Sequence, residues 1–252
     1  MINIYDGNNV LMRALSDTSL HARNGMNLRQ RYNGTLPSDI WVFDGQGHNK
    51  RRQEIYPPYK GKRQPPAANI FAQIKLFKEL IKHSHGTLIE VEGWEADDVI
   101  GALARKGALM KIHTNDMDYA QLLKLPNVFL NGVKTKDVEA RWIPLYKATV
   151  GDSSDNIAGI PGFGNKAWTD LQPHLEKFER AVVTGKPAMF SAFPMNKVVG
   201  LWLSSPENVA ELQNMLLITH FFPVPDTEIN AGITPGVYNP EAAEALLDRY
   251  LL

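Results

Sequence analysis

Short apolar segments that end in acidic residues alternate with helical segments along the first half of the chain. The predicted strands cover residues 2–5, 40–43, 88–91 and 110–114, with 127–133 as a fifth candidate. Between them, apolar residues recur at helical spacing, as in Val99, Ile100 and Leu103. Strands that alternate with helices predict an α/β fold with a mostly parallel central sheet flanked by helices.

The acidic residues stand where such a sheet binds its ligands, at the carboxyl ends of the strands. Together with a pair in the second half of the chain they make nine carboxylates in five clusters. The clusters are Asp6; Asp44; Glu95, Asp97 and Asp98; Asp116 and Asp118; and Asp152 and Asp155.

So many carboxylates in one crevice would repel one another strongly unless cations neutralised them. The chain has no cysteine, so a bound metal must take oxygen or imidazole ligands, and magnesium prefers carboxylates and water. Two such ions about 4 Å apart can activate a water and stabilise the leaving oxygen of a phosphodiester. The clusters therefore predict two Mg²⁺ ions, with Mn²⁺ as a substitute, and metal-assisted phosphodiester hydrolysis.

Each cluster also has an ordinary structural explanation. Asp6-Gly7 and Asp44-Gly45 are typical turn dipeptides. Acids in the first turn of a helix, such as Asp97 and Asp98, are favoured by the helix dipole. These explanations do not predict acids at the end of nearly every strand of one sheet, which favours the metal site.

The net charge is zero, but the charges are segregated. Between His48 and His85, nine Lys and Arg residues face only two acids. Within this segment KRRQEIYPPYKGKRQPP interleaves cations with Tyr56 and Tyr59, a composition suited to phosphate contacts and base stacking, or to a solvated loop with its tyrosines packed on the core. Arg51, Arg52 and Lys62 are predicted to attract phosphates without sequence preference.

Other features limit the class of protein. Of the 252 residues 44% are apolar, no apolar run is long enough to cross a membrane, and the first residues lack the layout of a signal peptide. We therefore expect a cytoplasmic protein. The second half of the chain is predicted to be helical. The expected domains are residues 1–140 and residues 141–252.

Six stretches, in order, resemble the 5′-nuclease family of flap endonucleases and 5′-to-3′ exonucleases from phages and bacterial polymerase N-terminal domains. They are IYDGNN, VFDG, YPPYKGKR, EGWEADDVIGALA, TNDMDYAQLL and VGDSSDNIAGIPGFGNKAW, and they cover roughly residues 1–180. The resemblance implies a PIN-like 5′-nuclease core, a helical arch or clamp at about residues 45–85, and a C-terminal helical region that binds DNA. It also implies that the protein acts in a bacterial cell or a phage-infected host. The region after about Gly185 matches nothing in the family.

The resemblance also implies roles for the carboxylates. Asp6, Asp44, Glu95, Asp97, Asp116 and Asp118 correspond to the first metal region. Asp98, Asp152 and Asp155 correspond to the second. Since all nine positions are acidic, we expect an active enzyme.

Further residues take their expected roles from the same resemblance. Lys60 and Arg63 correspond to catalytic contacts with the scissile phosphate, and Tyr59 to a ring that stacks on a base. The glycine-rich turn, within about 151–183, corresponds to a helix-turn-helix-like element that grips the duplex backbone, often with K⁺. Its expected DNA-binding residues are Gly159, Gly162, Gly164 and Lys166.

These features together predict a structure-specific 5′ nuclease of replication or repair that acts as a monomer. Its expected partner is DNA with a 5′ flap or 5′ end, or an RNA-DNA hybrid. Two alternatives stay open. A noncatalytic module that binds branched DNA would be expected to have lost metal ligands. A different metal-dependent phosphohydrolase would not need the glycine-rich turn.

Overall fold

One six-stranded sheet organises the first unit of the protein. The computed structural model describes residues 1–16, 24–134 and 138–251; residues 17–23, 135–137 and 252, which the expected domains include, lie outside the described residues. The strands are β1 Ile2–Asp6, β2 Asp39–Asp44, β3 Thr87–Val91, β4 Met110–His113, β5 Val128–Asn131 and β6 Ile233–Pro235. Their order across the sheet is β5-β4-β1-β2-β3-β6.

The sheet is parallel except at one edge. β1 pairs in parallel with β2 and β4, β2 with β3, and β4 with β5, whereas β6 runs antiparallel to β3. The predicted α/β class with a mostly parallel sheet is confirmed. Because β4, β1 and β2 are neighbours, their carboxyl ends lie at the same edge of the sheet.

Helices of the first unit cover the sheet. They are α1 Gly7–Ser16, α2 Asn24–Asn33, α4 Ala68–Lys82, α5 Ala96–Ala104, α11 Asp226–Ala231 and α12 Pro240–Leu251. Helix α3 Lys50–Ile55 comes before α4 in the chain but belongs to the second unit. A core cluster joins apolar side chains of α1 and α4 to the sheet, including Leu11, Phe43 and Phe77, all fully buried. Burial of such side chains stabilises the fold by about 2 kcal/mol each.

The second unit is helical. After a 3₁₀ turn at Ala140–Trp142 it contains α6 Ile143–Val150, α7 Asn165–Leu171, α8 Leu175–Thr184, α9 Lys197–Leu203 and α10 Pro206–Ile218. α10 begins at Pro206, and the hydroxyl of its N-cap residue Ser205 accepts a hydrogen bond from Asn208 N. A 3₁₀ turn at Gln172–His174, which contains Pro173, separates α7 from α8.

The expected domain boundaries need correction. The first unit comprises residues 1–48, 64–134 and 222–252, and the second comprises 49–63 and 135–221. The prediction that 141–252 forms a single helical region is wrong for its last part, because β6 extends the sheet and α12 packs on α4. Three residues of β6 carry too little periodicity to be recognised from sequence.

The expected arch at about 45–85 is also only partly matched. Residues 64–69 are all exposed, but the second half of α4 is packed into the core through Phe77, Leu80 and Ile81. Its residues are therefore part of the scaffold of the first unit. Among the described residues, no helix has both the length and the apolar character that a membrane span requires.

Candidate metal centre

Three carboxylates converge at the carboxyl edge of the sheet. Asp97, Asp116 and Asp118 each offer one oxygen, and the three oxygens all lie within 4.8 Å of one another. Asp118 is buried and the other two are half-buried. An all-oxygen set of this spacing fits a hard divalent cation. The convergence predicted for these three residues is present in the structure.

Local hydrogen bonds fix the orientation of Asp116. It is the N-cap of the 3₁₀ helix Met117–Lys124, and its Oδ1 accepts a hydrogen bond from Asp118 N at 2.9 Å. Its own backbone N donates to Thr114 Oγ1 at 3.1 Å. The short turn after β4 therefore places two of the three carboxylates.

The third carboxylate, Asp97, comes from the first turn of α5. Its Oδ1 accepts a hydrogen bond from the Tyr119 hydroxyl at 2.7 Å. Burial, followed by the charges of Asp6 and Asp97, raises the pKa of Tyr119 well above its ordinary value, so the phenol stays protonated and remains a donor. Sequence reasoning assigned no role to Tyr119, because nothing local to TNDMDYAQLL indicates which residue its hydroxyl contacts.

Asp6 lies at the end of β1 and is only 5% exposed. Its Oδ2 accepts a hydrogen bond from the Thr114 hydroxyl at 2.9 Å, and its Oδ1 accepts one from Asn9 N at 3.3 Å. Burial and the nearby charges of Asp44 and Asp116 nevertheless raise the pKa of Asp6 to about 7. Carboxylates that repel one another in this way are the arrangement that a divalent cation neutralises.

Asp44 and Glu95 occupy the neighbouring strand end and the start of α5. Asp44 accepts hydrogen bonds from Asn8 Nδ2 at 2.7 Å and from Ala96 N at 2.8 Å, so it links β2 to the first turn of α5. Glu95 is the N-cap residue of α5 and is 1% exposed. Asn8 lies in the stretch IYDGNN, but the sequence alone gave no reason to expect that its side chain binds Asp44.

Asp98 and its neighbour Asp97 accept hydrogen bonds from different residues. Its Oδ1 accepts a hydrogen bond from Phe222 N at 2.7 Å, and it is 1% exposed. Asp98 is not among the three converging carboxylates of the described residues. The family resemblance assigns Asp97 and Asp98 to different metal regions, and that assignment stays a prediction.

The raised pKa of Asp6 gives a testable pH dependence in the metal-free protein. Between its ordinary pKa and about 7, Asp6 is ionised in the unfolded chain but protonated in the folded protein. Folding then takes up a proton, so the contribution of Asp6 to the free energy of unfolding falls as pH rises from about 4 to about 7. We expect the free energy of unfolding of the wild type to fall by a few kcal/mol over this pH range relative to that of Asp6→Asn, since one pKa unit corresponds to about 1.4 kcal/mol.

Urea unfolding of both proteins in EDTA, at several pH values, measures this difference. The comparison with Asp6→Asn removes the titration of the other carboxylates to first order. A difference between the two proteins that does not change with pH would show that Asp6 titrates normally in the fold.

Asp152 and Asp155, two of the three aspartates expected in the second metal region, lie in the second unit on the loop after α6. Asp152 Oδ2 is 2.6 Å from Lys147 Nζ, and Asp155 Oδ1 is 3.9 Å from Lys60 Nζ. Lys60 has a left-handed backbone with φ of 52°, a conformation that a non-glycine residue adopts at some cost. Its N donates to Asp155 O at 2.9 Å, which fixes the turn against the loop.

Two residues of the basic segment require correction. Tyr59 is 3% exposed, with Lys60 Nζ 5.0 Å from its ring centroid, so the ring belongs to the core of the second unit and is not available to stack on a base. Arg52 is also 3% exposed and donates from Nε to Ile218 O at 2.9 Å and from Nη2 to His220 O at 3.1 Å. It binds carbonyls at the end of α10 in place of phosphates. Arg51, Lys62 and Arg63 are exposed.

The glycine-rich turn has a structural requirement for its first two glycines. Gly159 and Gly162 have φ of 69° and 77°, and a Cβ on Gly159 would lie 2.6 Å from Gly151 N. The close backbone approach at Gly159 is therefore to the chain itself. Gly164 has an extended backbone, and a Cβ there would meet nothing within 4 Å, so its position does not require glycine. Lys166 is exposed in the first turn of α7.

Comparisons with known proteins agree with this fold and identify the family of the chain. A family model described as "5'-3' exonuclease, N-terminal resolvase-like domain" matches residues 2–143. DNA polymerase I of Caldicellulosiruptor bescii is 35% identical over 210 aligned positions, covering 70% of this chain and 24% of that polymerase. A 5′-3′ exonuclease of Aquifex aeolicus is 37% identical over 142 positions, covering 50% of this chain and 49% of that protein. The chain thus spans half or less of the length of these relatives.

Solved structures of a phage T5 enzyme share the fold. A T5 5′-exonuclease with bound zinc ions superposes with a TM-score of 0.62 at 18% identity, covering 99% of this chain and 96% of that one. A T5 flap endonuclease in a pseudo-enzyme-product complex with DNA and metal ions gives a TM-score of 0.57 at 17% identity, covering 99% and 97%. At this identity the likeness concerns the fold.

Proposed function

Because the chain belongs to the 5′-3′ exonuclease family, we propose that it is a metal-dependent nuclease that hydrolyses DNA phosphodiesters at 5′ flaps or 5′ ends. The observation that carries the proposal is the convergence of Asp97, Asp116 and Asp118 to within 4.8 Å at the carboxyl edge of the sheet. Three carboxylates from two separate segments meet there, and each of the segments is placed by its own hydrogen bonds.

Mg²⁺ is the ion proposed for these three carboxylates, with Mn²⁺ as a substitute. When bound, such an ion lowers the pKa of a coordinated water and stabilises negative charge on phosphate oxygens. The chain's own residues hold it: Tyr119 fixes Asp97 and the backbone of Asp118 fixes Asp116. Preorganised ligands of this kind need little rearrangement when the reaction takes place.

Lys60 is proposed to offset the negative charge that develops on the scissile phosphate, with Arg63 as a second cation. The left-handed backbone of Lys60 and its largely buried stem favour a fixed position, since strained residues persist where the surrounding structure determines them. The exposed Arg51 and Lys62 would attract the phosphate backbone from solution.

DNA with a 5′ flap or 5′ end is the proposed substrate, and an RNA-DNA hybrid is proposed as a second one. Polymerase and exonuclease relatives support a role in replication or repair. The T5 flap endonuclease was solved with DNA and metal ions, which supports DNA as partner.

We propose that the protein acts as a monomer and that the turn at about 151–183 contacts the duplex backbone, with K⁺ at Gly159–Gly164. The resemblance assigns a second divalent ion to Asp98, Asp152 and Asp155, but Asp152 already pairs with Lys147, so no second resident ion is proposed for the free protein.

Cleavage of a 5′-labelled flap duplex, beside blunt duplex and single strand, tests the proposal with Mg²⁺ or EDTA. We expect Mg²⁺-dependent products near the flap junction, or mononucleotides if the exonuclease activity dominates. Tight flap binding without cleavage of any substrate would contradict the proposal. That result would favour the noncatalytic DNA-binding module.

A further inference from the structure

Lys147 and Asp152 form an ion pair inside the second unit. The Lys147 Nζ lies 2.6 Å from Asp152 Oδ2, and the two side chains are only 7% and 15% exposed. Lys147 belongs to α6 and Asp152 to the loop that follows it. The pair is therefore local to one helix and its adjacent loop, and it is largely shielded from water.

Serine donors occupy the other oxygen of the same carboxylate. Asp152 Oδ1 accepts hydrogen bonds from Ser154 N at 2.9 Å and from Ser154 Oγ at 2.5 Å. Both oxygens of Asp152 thus already have donors in the metal-free protein.

The backbone of the loop is fixed in the same place. Asp152 N donates to Ile157 O at 2.9 Å, and Ile157 N donates to Asp152 O at 2.8 Å. On the same loop, Asp155 faces the Lys60 ammonium at 3.9 Å, and both of these side chains are also mostly buried, at 16% and 8% exposed. Asp152 and Asp155, two of the three aspartates that the resemblance assigns to a second metal ion, each face a lysine of their own unit.

A divalent ion could bind Asp152 directly only by displacing the Lys147 ammonium. That displacement would separate a largely buried lysine from a carboxylate that lies 2.6 Å from its ammonium, and breaking one side of a buried ion pair is strongly unfavourable. The added repulsion between the ammonium and a nearby divalent cation acts in the same direction. Because Lys147 and Ser154 already donate to both oxygens of Asp152, this carboxylate does not fit a resident metal ion.

We propose that Lys147 is the resident cation of Asp152 and takes the place of a second divalent ion in the free protein. Lys147 is then a positioning residue: it holds Asp152 and the loop 152–157 in place without a metal. The inference rests on the proposed function, in which the free protein binds one divalent ion at Asp97, Asp116 and Asp118. The free protein therefore holds one tightly bound divalent ion.

Counting Mn²⁺ on the full chain by electron paramagnetic resonance, without DNA, tests this directly. We expect wild type to bind one Mn²⁺ tightly, and Asp152→Asn to leave both the number and the affinity unchanged. Lys147→Met, which keeps the length of the side chain but removes the charge, is expected to add a second site or to tighten a weak one at least tenfold. Lys147→Arg retains a cation and is expected to behave as wild type.

Two results would overturn the proposal. The first is a second tight Mn²⁺ on wild type that Asp152→Asn removes, and the second is an unchanged Mn²⁺ count in a folded Lys147→Met protein. If Lys147→Met does not fold, the wild-type and Asp152→Asn measurements still decide, since neither alters Lys147. Asp116→Asn provides the separate test of the other centre: if it keeps its tight Mn²⁺, the proposed metal centre fails, whereas the comparison at Asp152 is unaffected.

Discussion

Replacement of Asp116 by asparagine is expected to reduce single-turnover cleavage of flap DNA by roughly a thousandfold or more, with flap binding nearly unchanged. Asp116 is one of three carboxylates that converge within 4.8 Å. Removal of its charge weakens the metal ion that stabilises the transition state, a contribution of several kcal/mol, and each 1.4 kcal/mol corresponds to about tenfold in rate.

Asparagine is the appropriate substitution because it preserves the fold around this position. The Asp116 side chain caps the 3₁₀ helix by accepting from Asp118 N, and asparagine is an equally good cap. Loss of activity in Asp116→Asn is therefore not a consequence of a lost cap.

Single-turnover rates and flap-DNA dissociation constants of the wild type, Asp116→Asn and Asp170→Asn proteins test this prediction. Asp170 is an exposed acid of α7, so its replacement makes the same change in net charge away from the proposed centre. Near-normal turnover of Asp116→Asn in Mg²⁺ would remove Asp116 from the metal centre.

Lys60→Ala is expected to slow single-turnover cleavage by about 10²–10³-fold, the usual effect of losing one preorganised electrostatic contact in a transition state. Its effect on the dissociation constant for flap DNA should stay within about threefold, because one phosphate contact contributes little to total binding. Alanine and lysine are equally disfavoured at a φ of 52°, so the substitution changes the ammonium and not the backbone strain.

Lys62→Ala is the matched control for this measurement. Lys62 is two residues further along the chain and exposed, whereas the Lys60 side chain is 8% exposed and lies beside Asp155. The control should weaken binding slightly and leave the single-turnover rate nearly unchanged. Equal losses of rate and binding in Lys60→Ala would instead assign Lys60 to phosphate attraction.

The amino-acid sequence by itself determined the parallel sheet and its acidic edge. Strand periodicity and the position of Asp6, Asp44 and Asp116 at strand ends are local features, readable within a few residues. In a parallel sheet, the carboxyl ends of adjacent strands lie at one edge. The convergence of Asp97, Asp116 and Asp118 was therefore predictable before any coordinates.

Only the tertiary structure decided which polar residues are accessible and which partners they have. The composition around Tyr59 and Arg52 suited DNA contacts, yet both are buried in the second unit. Likewise β6 joins the sheet far along the chain, and Tyr119 meets Asp97 across two segments. Burial and pairing depend on residues distant in sequence, whereas periodicity and composition describe only neighbours along the chain. For the same reason, the contact between Lys147 and Asp152 required coordinates.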